Sequence, residues 1–394
     1  MGVSAHSWCL DLSEGVGLWL STLYDAARPG LVKYSRRGNL LEPSVTAGLG
    51  ASCLALKVAY QIGMWDDLEP KVRRGWVDHV RSFQRADTGF FEDPSVLAVA
   101  DSRASRPRLS KQVERVWRRL QKGKQPPPVG IAHRPSGRAP KRLDLALRRA
   151  ESRQAAAALL AVGSGPAYLF YWVPEDEEEL LAFLRGLPWY WRPWHAGSHT
   201  SLMVFGLKLN ADVFGRQEAY TRLISVALSF LDAMQDPETG AWFRRSWQPR
   251  RVPVNEQVNG AMKVLTAYEL LERPFRWPGK LIDLCLDSFD ARDACHSVDA
   301  LYVLHACAKW TAHRRGEVKR FAGAMLQAIK AHHRQDGALS FFPDHANTHY
   351  YGVPVSHGLA ESDVQGTHLL VWAVTLCADL LGFRSELGWN LPVT

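Results

Sequence analysis

Six stretches of this chain start with polar residues and then run apolar around almost the whole helical circumference. They are EPSVTAGLGASCLALKVAYQIG from Glu42, ESRQAAAALLAVG from Glu151, HAGSHTSLMVFGLKLN from His195, NEQVNGAMKVLTAYELL from Asn255, DACHSVDALYVLHAC from Asp293 and ESDVQGTHLLVWAVTLCADLLG from Glu361. A helix without a polar face must be buried on every side. Each is preceded by a charged segment with apolar residues at spacings of three and four, at about 13–27, 143–150, 175–186, 216–235, 278–288 and 315–334. A further one, 70–84, follows the first apolar stretch. Helices of this second kind bury a single stripe. Alternation of the two kinds predicts an all-α protein, an (α/α)6 toroid over residues 1–394 with inner and outer rings and a cavity where the polar starts of the inner helices meet. An open helical solenoid is the alternative, because periodicity reports stacking and not closure.

Charge is concentrated in one place. The chain carries a formal +8, but residues 103–149 hold fifteen Lys and Arg against Glu114 and Asp144, a local +13 that leaves about −5 elsewhere. With QKGKQPPP and HRPSGRAPKR inside it, this segment reads as a basic insertion with one short helix near 109–120. It offers a contact for phosphate or an anionic membrane, and a solvated loop is the plainer account. Nucleic acid is not favoured as a partner, since Trp117 is the single aromatic ring there. Six scattered cysteines without a C-x-x-C pair fit reduced thiols, and the first residues lack a secretory pattern, so a cytoplasmic protein is expected, with peripheral membrane association left open. Residues 155–173 are uncharged and long enough to span a bilayer, but Gly163, Gly165 and Pro166 interrupt them, and they read as core.

The turns between helices repeat too. QRADTGFF from Gln84, QDPETGAWF from Gln235 and QDGALSFF from Gln335 each run from Gln through an acidic turn and Gly to an aromatic residue. Glycine supplies the left-handed turn position after a helix, and the aromatic ring plugs the next seam. These turns resemble the repeat of the terpenoid cyclase and protein prenyltransferase toroid superfamily, and DVQGT at 363–367 is similar to the Asp-x-Asp-Asp-Thr helix start of its class II cyclases. That resemblance implies the toroid fold and, with less support, isoprenoid chemistry. The family's proton-donating Asp falls on Gln365 and the next one on Gly366, and no paired metal motif of the diphosphate-ionising enzymes is present.

Polar pairs inside apolar helices supply the candidate site. His195 and His199, and Asn255 and Asn259, are four residues apart, and His296 and Asp299 are three apart, so each pair shares a helix face. Acid-base work needs a carboxylate beside a histidine, which points to Asp299 with His296 and Asp363 with His368, backed by His199 and Glu361. Each of these is also what a helix cap or a satisfied core group looks like. Glu42, Asn255, Asn259, His195 and Gln365 are expected to bind substrate beside Trp189, Trp191 and Trp194 of the segment at 187–195, and Tyr350 and Tyr351 belong to a loop at 343–357 that lids the cavity. Three histidines and Asp344 in that loop are a weak divalent-metal pattern, and no cofactor is otherwise expected. The readings for a small-molecule substrate are a cyclase-like enzyme that protonates an isoprenoid, or a glycan-active hydrolase, lyase or epimerase. The third is a non-catalytic helical scaffold with a basic binding loop.

Overall fold

A computed structural model describes residues 5–44, 47–98, 140–244, 252–288 and 293–393. The short helix expected near 109–120 lies outside these residues, as does the basic segment up to residue 139. Most of the described residues are helical, and the regular β-structure among them is a single two-stranded hairpin.

Twelve helices form six pairs, each a charged helix followed by an apolar one. They are α1 (Ala5–Ser21) with α2 (Leu49–Gln61), then, after the four-residue α3 (Met64–Asp67), α4 (Pro70–Ser82) with α5 (Pro140–Ala161). Next come α6 (Glu177–Arg185) with α7 (Pro193–Phe214), α8 (Gln217–Met234) with α9 (Val254–Glu269), α10 (Pro278–Ser288) with α11 (Ala294–Ala308), and α12 (Arg315–Ile329) with α13 (Val364–Leu381). A short α14 (Arg384–Leu387) follows. The second pair differs from expectation. Residues 143–150 are not a separate charged helix but the first turns of α5, and the segment near 70–84 is the partner. The last ten residues of the basic stretch therefore belong to a core helix.

The apolar helices contact one another in chain order: α2 packs on α5, α5 on α7, α7 on α9, α9 on α11 and α11 on α13, and α13 packs back on α2. Small residues let these backbones approach. A Cβ added at Gly197 of α7 would lie 2.6 Å from the Gly260 carbonyl of α9, so only glycine fits there. Trp194 brings three helix starts together, because its N–H donates to Glu256 of α9 at 3.2 Å and its ring lies 6.2 Å from that of His296 in α11. Helix ends follow local rules. Asp176, Asp293 and Asp363 cap α6, α11 and α13 through their carboxylates, Pro70 and Pro193 open α4 and α7, and left-handed Gly215 and Gly382 close α7 and α13. Residues 155–158 are buried as core and α5 stops before left-handed Gly163. One described helix, α13, is long and apolar enough to cross a membrane, and 72% of it is buried inside the protein.

Two of the three turns have the anticipated form. At Gln84 and at Gln235 the next N–H reaches the carbonyl of the residue after the turn glycine (Arg85 to Phe90, Asp236 to Ala241, both 2.8 Å), with Gly89 and Gly240 left-handed. The Gln84 amide also clamps the following segment, donating to the Tyr168 carbonyl at 2.7 Å and accepting from the N–H of Ala167 at 2.7 Å. The third turn is one residue shorter and out of register. His333 pairs with Leu339 where Gln84 pairs with Phe91, so Gln335 sits exposed inside the turn and plays no clamping part.

Candidate functional site

Three of the acidic residues at the helix starts, Asp293, Glu361 and Asp363, hold backbone. Asp363 is fully buried and accepts from the N–H groups of Gly366 (2.8 Å), Phe341 (2.9 Å) and Asn347 (3.1 Å), so its two oxygens tie the start of α13 to two loops. Burial raises it to about 6, against those hydrogen bonds, and it has no contact with His368 among its hydrogen bonds. Glu361 is likewise committed, accepting from the N–H groups of Arg37 (3.0 Å) and Gly38 (2.6 Å). Gln365 accepts from Tyr34 (2.7 Å) and the Asn347 amide (2.9 Å). Gly366 has a steric reason: a Cβ there would lie 2.1 Å from the Phe341 nitrogen. The acid position of the cyclase-like motif is thus a structural joint. His296 bonds Asp293, through Nδ1 and Oδ1 at 2.9 Å, and also acts electrostatically on Asp299.

Other expected ligands lie elsewhere. Glu42 is an exposed loop residue 3.7 Å from Lys33, well before α2 begins, and the cap of α2 is Asp93, which accepts from the N–H groups of Gly48 (2.8 Å) and Leu49 (3.0 Å). Trp189 is a buried plug whose indole donates to the Leu184 carbonyl at 2.8 Å, and Trp191 is 65% exposed against Tyr190. His195 and His199 stack edge to face at 4.3 Å, half-buried with Asn255 near the same end as Trp194. The loop histidines disperse: His345 pairs with Asp344 (2.6 Å) and His349 with Thr348 (2.8 Å). Among the described residues no three His, Cys, Asp or Glu side chains converge as metal ligands would.

A different cluster occupies the interior faces of the apolar helices, one to three turns below their starts. Lys57 of α2 donates to Gln154 of α5 at 2.5 Å. Gln61 of α2 meets His368 of α13 at 2.8 Å, and His368 stacks with Trp372, which abuts Tyr302 of α11 edge-on at 5.4 Å. Lys263 of α9 reaches Asp299 of α11 at 3.2 Å. Ser201 of α7 and Thr266 of α9 share a bond of 2.5 Å, and Arg153 of α5 reaches past α7 to the same Thr266 hydroxyl at 3.0 Å. That last contact joins α5 to α9, which are separated by α7 in the order of packing, and makes these side chains the candidate central cluster. The hairpin of β1 (His349–Tyr350) and β2 (Val353–Pro354) reaches α2 and α5 of this cluster. Its two turn residues, Tyr351 and Gly352, are both left-handed (φ 45° and 83°), as a two-residue hairpin turn requires. Tyr350 is buried against Gly50, where a Cβ would lie 2.6 Å from its ring, and Tyr351 hydrogen-bonds Gln154.

Desolvation dominates the electrostatics. Burial lowers Lys57 to about 7, with Arg153 adding repulsion, and pushes His368 well below its usual range, with Lys57 adding repulsion. Burial raises Asp299 against the pull of Lys263, and raises Glu151 well above the carboxylate range with nearby Asp93 acting in the same sense. Five polar atoms of four residues here have no protein partner: Asp299 Oδ2, Glu151 Oε1, Tyr350 Oη and both ends of the Asn259 amide make up this set of buried groups with unmet capacity. Buried polar groups are normally paired, so orphans at a shared centre mark a place where another molecule supplies the partner. Of the expected residues, Asp299, His368, Asn259, Tyr350 and Tyr351 are here. Sequence reasoning missed Lys57, Gln61, Gln154, Lys263, Thr266 and Tyr302. Their one signal is periodic: Cys53, Lys57 and Gln61 recur every fourth residue along an otherwise apolar helix.

No protein-family model matches this chain, and no curated protein matches it in sequence.

Proposed function

We propose that the chain is an (α/α)6 toroid enzyme that performs acid-base chemistry on a saccharide at this central cluster. The return of α13 onto α2 supports the closed ring, and the turn repeats resemble those of toroid proteins. The observation that carries the chemistry is the Lys263–Asp299 pair, in which one carboxyl oxygen is held at 3.2 Å and the other is unpartnered and buried. Raised by burial, Asp299 can carry a proton on Oδ2 and deliver it to a leaving oxygen, and the Lys263 ammonium then stabilises the carboxylate left behind. Lys57, held near neutrality by desolvation, is the group able to accept a proton. Two groups shifted in opposite senses give the acid and base roles.

A saccharide is preferred to an isoprenoid because the lining is polar. Amides, hydroxyls and charged groups outnumber rings, and a hydrocarbon chain would leave them without partners. The cyclase-like reading also relied on Asp363 and the tryptophans near 189–194, and Asp363 is used up in capping while Trp189 and Trp191 point elsewhere. The residues Tyr302, Tyr351 and Trp372 supply the faces on which sugar rings stack.

The test is turnover across neutral and acidic oligosaccharides, read as new reducing ends or unsaturated products. Asp299→Asn keeps size but removes proton exchange, and turnover should fall by roughly 100-fold or more with the melting temperature retained. Near wild-type turnover in Asp299→Asn, or conversion of an isoprenoid diphosphate and no saccharide, would overturn the assignment.

A further inference from the structure

Arg153 is a guanidinium in the middle of the protein with no carboxylate to neutralise it. It makes one hydrogen bond, from Nη2 to the Thr266 hydroxyl at 3.0 Å, and its plane lies 5.8 Å from the Phe205 ring. Among the described residues it has no ion pair, although the cluster contains two acids. Asp299 is engaged by Lys263, and Glu151 sits beside Asp93. Guanidinium offers five N–H donors in a planar fork, so most of its capacity has no protein acceptor here. The groups that act on it electrostatically are the phenols of Tyr351 and Tyr302. Lys57 lies close enough for the two cations to repel, and Lys57 in turn repels His368. Arg153 and Lys57, from the packed helices α5 and α2, therefore lie near each other with no carboxylate bonded to either among the described residues. Such an arrangement is costly unless an anion joins it.

We infer that the central site takes a saccharide bearing an anionic group, a carboxylate or a phosphate, seated on the free edge of Arg153 beside Tyr351. This rests on the reading of the cluster as the substrate site. Bidentate guanidinium contacts suit the two oxygens of either anion, and the hairpin phenol of Tyr351 lies where it would hydrogen-bond the same group. Arg153 here is a specificity residue, and the proton transfers remain with Asp299 and Lys57.

Binding can be followed by calorimetry and thermal shift on the full chain, with glucuronic acid, glucose 6-phosphate, inorganic phosphate and glucose as probes. Glucuronic acid or glucose 6-phosphate should bind and raise the melting temperature, glucose should bind at least 10-fold more weakly, and Arg153→Gln should lose about 10- to 100-fold of the anion's affinity while leaving that of glucose unchanged. Preference between the two acidic sugars tells carboxylate from phosphate, and inorganic phosphate binding as well as glucose 6-phosphate would select phosphate. If Arg153→Gln unfolds, Arg153→Lys serves: it keeps the charge and loses the fork, and should retain part of the affinity. Glucose binding as tightly as the acidic sugars, or Arg153 variants binding all probes as wild type does, would overturn the inference while leaving Asp299 chemistry intact. Conversely, anion binding that survives alongside full turnover in Asp299→Asn would sink the catalytic reading alone.

Discussion

Two buried ionisable groups, Lys57 and Asp363, meet desolvation in opposite ways. Lys57 has one amide acceptor in Gln154 and sheds its charge, with a pKa brought down to about 7. Between that value and about 10.4 the amine is neutral when folded and protonated when unfolded. The unfolded state then binds more protons, so stability rises with pH across that window and falls back as pH drops toward 7. Comparing wild type with Lys57→Met from about pH 7.5 to 8.5, below the range where buried thiols oppose the trend, wild type should gain about 1 kcal/mol relative to the variant. A flat difference in denaturant-derived stability would mean that the folded amine keeps its proton. Asp363 instead collects three backbone N–H donors, which is the work of a cap. Asp363→Ala should cost about 3 kcal/mol or more in chemical denaturation, since those donors would be buried unpaired. Asp363→Asn, which keeps one acceptor oxygen, should fold less stably yet turn over far faster than Asp299→Asn. Equal loss of turnover in the two Asn variants would return Asp363 to the chemistry.

At the level of helices and turns, the alternation of charged and apolar segments was legible in five pairs of six, because burial on all sides excludes polar residues and leaves a plain pattern; in the second pair the charged residues 143–150 turned out to be the first turns of the apolar helix itself. Which polar residues faced the centre was not. Asp293, Asp363 and Glu361 sit at helix starts, where capping and catalysis call for the same residue types, and all three hold backbone. The groups that do face the centre lie deeper, where Lys57 or Lys263 reads as an ordinary solvated lysine. Spacing tells which residues share a face, and only packing tells where that face looks. The turns teach a similar lesson about register. The motif at Gln335 matched by eye, yet the backbone pairs His333 with Leu339. Gln84→Ala should therefore cost about 2–3 kcal/mol by losing bonds to Gly89, Ala167 and Tyr168, whereas Gln335→Ala should change stability by less than about 0.5 kcal/mol. Equal effects in thermal melts would restore the original alignment of the third turn.

For the molecule as a whole, the distinguishing contact is that between α13 and α2, helices from opposite ends of the chain. In an open stack the terminal repeats have one neighbour each and fray first. A ring has no terminal repeat. Native-state hydrogen exchange should find the amides of α2 and α13 as slow as those of α7 and α9, and all should exchange with one global opening. Faster exchange in α2 and α13 than in the middle helices would point to an open solenoid. The contact of α13 with α2 could not be read from sequence, because nothing local distinguishes a helix that meets its predecessor from one that also meets a partner some three hundred residues away, as Gln61 meets His368.

The bond from Arg153 past α7 to Thr266 has a geometric consequence for whatever enters. In the proposed ring this bond would span the centre and leave the proposed site open from one side. A saccharide polymer would then be offered by a terminus, and the proposed activity should release products stepwise from an end while the length of the remaining chain shrinks slowly.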